Sequence, residues 1–216
     1  GLLDGYIVNK NLQHDSSLNF NGWTKSIELD PSVIINDGSD IGLKMNPLNF
    51  GGGFLTPVLI SDEFIVEKDF ILTFRTKVTS FAYSNSFVFQ IITNDGYYLN
   101  KNAQWSTNPL SYIFTIVGEA NNSNTSDSTF EFIIPPILND CALKIVICQP
   151  IQSVSGQFGL TKISYIQISD DILKKNGWVG EFHTVTRGAP PSSITKENQK
   201  VFNGDSRNIF IGAIYK

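Results

Sequence analysis

Histidine is scarce in this chain: His14 and His183 are the only two among 216 residues. A Ser-His-Asp or Cys-His system would need one of them beside a nucleophile, and neither lies in a nucleophile motif. His183, flanked by Phe182 and Thr184, reads as a structural histidine. No His-x-x-x-His or Cys-x-x-Cys spacing offers zinc a ligand set. Gly51-Gly52-Gly53 runs into Phe54-Leu55-Thr56-Pro57, with no Lys-Ser/Thr behind it, so it reads as a bend and not as a phosphate loop. A glycosidase needs two carboxylates about 5–9 Å apart across a cleft. Glu63, Glu67, Glu119, Glu131 and Glu181 show no such pairing along the chain, and Glu131, alternating with Phe130 and Phe132, is expected to face solvent. The chain is therefore read as non-enzymatic.

Binding chemistry is better represented. Trp23, Tyr97, Tyr98 and Trp105 fall in or beside expected loops, where a flat ring can stack on a sugar while amides hydrogen-bond its hydroxyls. The densest group is Tyr97-Tyr98-Leu99-Asn100 with Asn102-Ala103-Gln104-Trp105. The candidate ligand residues are accordingly Trp105, Tyr97, Tyr98, Asn100 and Trp23. The competing reading has Trp23 closing one end of the core and one of the two tyrosines facing inward. No cofactor motif is present. Calcium is the one metal the residues admit, through Asp37-Gly38-Ser39-Asp40 and Asp4-Gly5, but Asp-Gly is also common turn chemistry and the spacing misses the EF-hand pattern.

Composition narrows the class. Hydrophobic residues at 41% can fill a core, and 16 Phe with 7 Tyr against one Met favour strands, since aromatic rings suit a pleated surface. A net charge of −4 with scattered lysines argues against nucleic acid, which asks for a basic stripe. No apolar run approaches the ~20 residues of a spanning helix, so membrane insertion is not expected. A chain that opens on Gly1 is expected to be a fragment or a processed product. Cys141 and Cys148 lie in one strand-like run. On a continuous strand they sit on opposite faces, roughly 23 Å apart at ~3.3 Å per residue, too far for a disulfide. Two buried, free thiols are expected.

Strand signals recur along the chain. The stretch to about Ile27 is polar and turn-rich. Apolar runs follow at Ile27–Leu29, Val33–Ile35 and Phe54–Ile60. Phe70, Leu72, Phe74 and Val78 alternate with Ile71, Thr73, Arg75 and Lys77, as in a strand with one face in the core. Phe87, Phe89 and Ile91 share a face, and Asn94-Asp95-Gly96 predicts a hairpin into Tyr97-Tyr98-Leu99. Tyr112, Phe114 and Ile116 alternate with Ile113, Thr115 and Val117. Glu119–Ser128 reads as a loop, Phe130–Ile134 as a strand stopped by Pro135-Pro136, and Cys141–Cys148 as a central strand. Gly159–Ser169 reads as the last strand, with apolar parity changing between Tyr165 and Ile166 as a bulge would cause. Eight to ten short strands and no helical stripe predict an all-β fold, a two-sheet antiparallel β-sandwich of jelly-roll type. The expected organisation is a sandwich over residues 1–175 and a C-terminal extension over 176–216.

Two resemblances extend this reading. Asn19-Phe20…Gly22-Trp23, Val78-Thr79-Ser80 and Ile163–Ile168 resemble, in order, carbohydrate-binding modules of the galactose-binding jelly-roll kind. Ser164-Tyr165-Ile166-Gln167 stands where those modules often carry an acidic pair, so the likeness implies fold more than sugar binding. Residues 177–216, with Gly180-Glu181-Phe182-His183-Thr184, Pro191-Ser192-Ser193 and Asn203-Gly204-Asp205…Ile211-Gly212-Ala213-Ile214-Tyr215-Lys216, resemble a segment of tail and appendage proteins of Bacteroidetes-type phages and prophages. That resemblance implies a structural or adhesive subunit of a phage-tail-like particle, extracellular or virion-borne, contacting other subunits as a homo-oligomer and also host surface glycans. The alternative is a carbohydrate-binding module of a secreted polysaccharide-degrading protein.

Asn203-Gly204-Asp205 predicts a turn between two apolar strands, with Phe202, Ile209, Phe210, Ile211, Ile214 and Tyr215 as the arm's apolar residues. Apolar groups fall on both faces, and a two-stranded ribbon is marginal alone, so it must bury itself against the sandwich or a neighbour. The polar, Pro-containing stretch 187–198 is a suitable spacer. Light scattering should find the whole chain oligomeric and the chain shortened after Lys175 monomeric. A monomer in both cases removes the assembly role.

Overall fold

The computed structural model describes residues 5–27, 30–46, 55–81, 85–117, 125–152 and 160–170. The expected domain boundary at 175/176, the arm residues, His183, Glu119 and Glu181 lie outside these residues. Among the described residues there are twelve strands and no helix: β1 (Trp23–Lys25), β2 (Leu43–Met45), β3 (Pro57–Ser61), β4 (Phe64–Val66), β5 (Leu72–Phe81), β6 (Asn85–Thr93), β7 (Tyr98–Leu99), β8 (Trp105–Ser106), β9 (Ile113–Val117), β10 (Thr125–Ile134), β11 (Cys141–Gln152) and β12 (Leu160–Asp170). The expectation of eight to ten strands is exceeded because β1, β2, β4, β7 and β8 are only two or three residues long, too short for a run of alternation to announce them.

The strands form two antiparallel sheets, as the alternation predicted. The larger runs β1-β3-β11-β6-β7-β8, with β4 also on β11 and β9 also on β6; the smaller runs β10-β5-β12-β2. The strands β9, β10, β11 and β12 alternate between the sheets. Neighbours within a sheet therefore come from distant parts of the chain, as in a jelly roll.

One face of each long strand makes the core. Leu72, Phe74 and Val78 of β5 and Ile163, Ile166 and Ile168 of β12 meet Phe87, Phe89 and Ile91 of β6 and Leu143, Ile145 and Ile147 of β11, all fully buried. Phe74 packs on Phe89 across the sheets, with ring centroids 5.1 Å apart and planes at 58°. Each such side chain contributes about 1.5–3 kcal/mol by burial. Trp23 belongs to this core at 6% exposure. Ile27, by contrast, is fully exposed in a turn.

Backbone irregularities are satisfied from within. The bulge in β12 falls between Ile163 and Tyr165, one residue before the parity change predicted it, because Ser164 is the extra residue. The fully buried Thr76 donates its hydroxyl to the Tyr165 carbonyl at 2.8 Å, so the bulge leaves that oxygen partnered. β10 starts at Thr125, inside the stretch expected to be a loop. Its residues there, Thr125, Ser126, Asp127 and Ser128, are all polar, and ten consecutive pairings with β5 extend it beyond its apolar part. The predicted hairpin is present: Thr93 donates its N–H to the Tyr97 carbonyl at 2.9 Å, and Gly96 sits at φ +95°.

Both cysteines are buried and free, on opposite faces of β11. Cys141 joins the main core, whereas Cys148 joins a second apolar cluster with Val88 and Val146. Burial pushes the Cys148 thiol up to about 12. The packing of the core is open to a direct test. Phe89→Ala should cost about 3–5 kcal/mol in a urea titration, whereas Leu110→Ala, at an exposed position, should stay within about 0.5 kcal/mol.

Candidate functional site

The loop aromatics are drawn into structure. Trp105, on β8, donates its indole N–H towards the carbonyls of Pro135 and Pro136 at 3.3 and 3.1 Å and packs against the main core. Tyr97 and Trp105 line one crevice with Asp95, Ile137, Leu138 and Cys141, and it is too narrow to admit a water-sized guest. Asn100 is a turn residue: its side-chain oxygen accepts the N–H groups of Asn102 and Gln104 at 2.9 and 3.0 Å. Tyr98 pairs with Ile92 and Ser106 and is half-buried. Trp23 lies in the main core at 6% exposure, the position that the competing reading gave it. The structure thus brings Tyr97 and Trp105 together, with Asn100 shaping the turn beside them.

A larger opening than this crevice lies along β9 and β10. A cleft of ≈ 440 Å³ is lined by Lys101, Phe114, Thr115, Phe130, Glu131 and Phe132. β9 supplies Phe114 and Thr115, β10 supplies Phe130, Glu131 and Phe132, and the turn between β7 and β8 supplies Lys101. Among the described residues β9 pairs only with β6, and β10 only with β5, so both are edge strands among them. Phe130 and Phe132 are half-buried and stacked, 6.2 Å apart with planes at 26°. Phe130 also meets the buried Phe74 edge-on at 6.5 Å. The floor of the cleft is thereby continuous with the core.

Charge at the rim is divided unequally. Arg75 donates Nε–H to Glu131 Oε2 at 2.6 Å and a second N–H to Ser169 Oγ at 3.1 Å, tying β10, β5 and β12 together on the outer face of the small sheet. Lys101 makes no hydrogen bond or ion pair among the described residues. It is exposed at the tip of its turn.

Phe114 links the cleft to the outer face of the large sheet. There Val88, Val146 and Cys148 lie beneath Leu55, Ile60, Ile92, Tyr112 and Phe114, with Tyr112 and Phe114 6.1 Å apart. Gln90 is buried in this face and donates its amide to the carbonyls of Pro109 and Ser111 at 2.9 and 3.0 Å. That clamp holds the chain that leads into Tyr112 and Phe114.

The cleft residues escaped sequence reading. Phe130 and Phe132 carried the signal of a strand's inward row, and only their position on an edge strand leaves them half-covered. The solvent-facing expectation for Glu131 holds, at 53% side-chain exposure.

At the candidate calcium position, Asp37 faces cations of the protein itself. Its Oδ2 lies 3.5 Å from Lys162 Nζ and 3.9 Å from Lys44 Nζ, and its Oδ1 accepts the Ser39 N–H at 3.0 Å. Among the described residues no three His, Cys, Asp or Glu side chains converge as a metal site would need.

No family model matches the chain, and no curated protein is similar to it. Several solved structures are similar at low identity. One is a CBM4 structure, 13% identical over 76% of this chain and 99% of that one, with a TM-score of 0.43. Another is an arabinose-bound GH51 α-L-arabinofuranosidase, 12% identical over 79% of this chain and 27% of that one, TM-score 0.45. A third is the enzymatically active domain of bacteriophage CBA120 tailspike protein 4, 9% identical over 78% of this chain and 22% of that one, TM-score 0.38. The chain therefore spans about a quarter of the length of the arabinofuranosidase and of the tailspike domain.

The Asp37 cluster has a pH signature. Burial alone would raise its pKa, but the Ser39 N–H and the Lys162 and Lys44 ammonium groups outweigh burial and hold it below the ordinary value. A lowered native pKa adds stability above the unfolded value that is lost as pH falls through the native one. Asp37→Asn should lower the melting temperature at neutral pH, with the gap to the parent closing as pH falls through the lowered native value of Asp37. Parallel melts across that range check this.

Proposed function

We propose that the protein is a non-enzymatic glycan-binding module whose contact surface is the cleft between β9 and β10. One observation carries the reading: Phe114, Phe130 and Phe132 line a single open cleft of ≈ 440 Å³. The C–H faces of a pyranose ring are apolar and lie well on aromatic rings, while its hydroxyls need a few polar partners. Lys101, Thr115 and Glu131 stand at the same surface. The Phe130–Phe132 stack is anchored on Phe74, so binding would order little that is not already held. Glu131 is engaged by Arg75, which favours a contact role over acid-base chemistry.

In this reading the setting is a phage tail or phage-derived appendage, particle-borne or extracellular, with the module acting as an adhesive subunit among copies of itself. What supports the setting is the resemblance of residues 177–216 and the apolar arm within them. The same cleft would serve a module of a secreted polysaccharide-degrading protein, but there the arm would have no neighbour to engage.

Phe132→Ala should weaken binding to oligosaccharides by about tenfold, the loss of one stacking contact. A glycan array followed by calorimetry on the parent and the variant measures it. Binding to no saccharide at all, or binding indifferent to Phe132, would sink the proposal.

A further inference from the structure

We infer that the cleft selects an acidic glycan, one whose sugar rings carry carboxylate or sulfate groups, with the Lys101 ammonium as the anion's partner. The inference rests on the reading of the cleft as a glycan site. It is drawn from the charge balance of the lining. Among the described residues two ionic side chains line the cleft, Lys101 and Glu131. Glu131 is neutralised by Arg75 at 2.6 Å, and Arg75 is further held by Ser169. Lys101 has no such partner among the described residues. Among the described residues, the local balance beside the three phenyl rings is therefore one positive charge without an ionic partner.

The position of Lys101 is built. Asn100 accepts the backbone N–H groups of Asn102 and Gln104, and Ala103, in the left-handed region at φ +59°, returns its own N–H to the Asn100 carbonyl at 3.0 Å. A non-glycine residue in that conformation is uncommon. The turn holds Lys101 at its tip, on the rim of the cleft. A neutral sugar offers the ammonium only hydroxyl acceptors there, whereas an acidic one offers an anion and a charge-assisted hydrogen bond. The chain's net charge of −4 does not oppose this at contact range. Exposed charges beyond about 8 Å are largely screened at physiological salt.

The test is a printed array on the whole chain. It carries tetramers of galacturonate, glucuronate, mannuronate and guluronate, each beside its neutral methyl ester, and sulfated galactans beside their desulfated forms. Acidic forms should bind about three- to tenfold more tightly than their neutral counterparts, the range expected for one charged contact at a surface. Lys101→Gln should erase that preference, read as the ratio of acidic to neutral binding, and Lys101→Arg restore it. Preference for the uronates alone, or for the sulfated chains alone, identifies the anion. Equal binding of acidic and neutral forms by the parent overturns the inference and leaves the glycan reading standing, as does a preference that survives Lys101→Gln. Absence of binding to every sugar, acidic or neutral, defeats both.

Discussion

The structure depends on one contact surface: the inward rows of β5 and β12 closing on those of β6 and β11, with Phe74 seated on Phe89 at its centre. Because β9, β10, β11 and β12 alternate between the sheets, neither sheet can form without the other. Apolar burial and strand pairing are then a single event, and nearly all of the pairing is non-local. Such a topology forms slowly, since distant segments must meet before any of them gains a partner.

An open sandwich has a geometric consequence that a closed barrel avoids. Its sheets end in edge strands, and the inward rows of those strands have a facing sheet on one side only. β10 illustrates this. Phe74, its cross-strand neighbour on β5, is fully buried, whereas Phe132, directly paired with Phe74, is half-buried. The same inward-facing chemistry is core in one strand and cleft in the next. The Arg75 clamp on Glu131 and Ser169 then holds β10 in register from the outside, so the aromatic floor is supported on both faces.

The outer face of the large sheet departs from the usual arrangement, in which the solvent side of an antiparallel sheet is polar. Val88, Val146 and Cys148 are buried there beneath larger apolar neighbours, and Gln90 turns its amide to the chain crossing above. Phe114 sits where this second layer meets the cleft. Rigidity therefore reaches the cleft from two directions, the main core through Phe130 and the outer layer through Phe114. Burial that keeps Cys148 protonated makes this layer chemically inert as well.

Much of the architecture was legible because period-two alternation is a local property. The inward rows of β5 and β6, the Asn94–Gly96 hairpin, the opposite faces of Cys141 and Cys148 and the bulge near Tyr165 all follow from side-chain spacing along single strands. Strands of two or three residues could not be read, since alternation needs more length to register. Sheet order was equally beyond reach: nothing local to Phe130 or Phe132 marks β10 as an edge. The aromatics Trp23 and Trp105 drew attention by residue type, but type is silent on burial. Trp23 went into the core, and the Trp105 indole was taken by the Pro135 and Pro136 carbonyls. Sequence by itself determined that this chain makes strands, which side chains they turn inward and where they reverse. Only the tertiary structure decided which inward residues remain half-open, because that depends on which strands end without a neighbour, a property of the whole sheet and of no single segment.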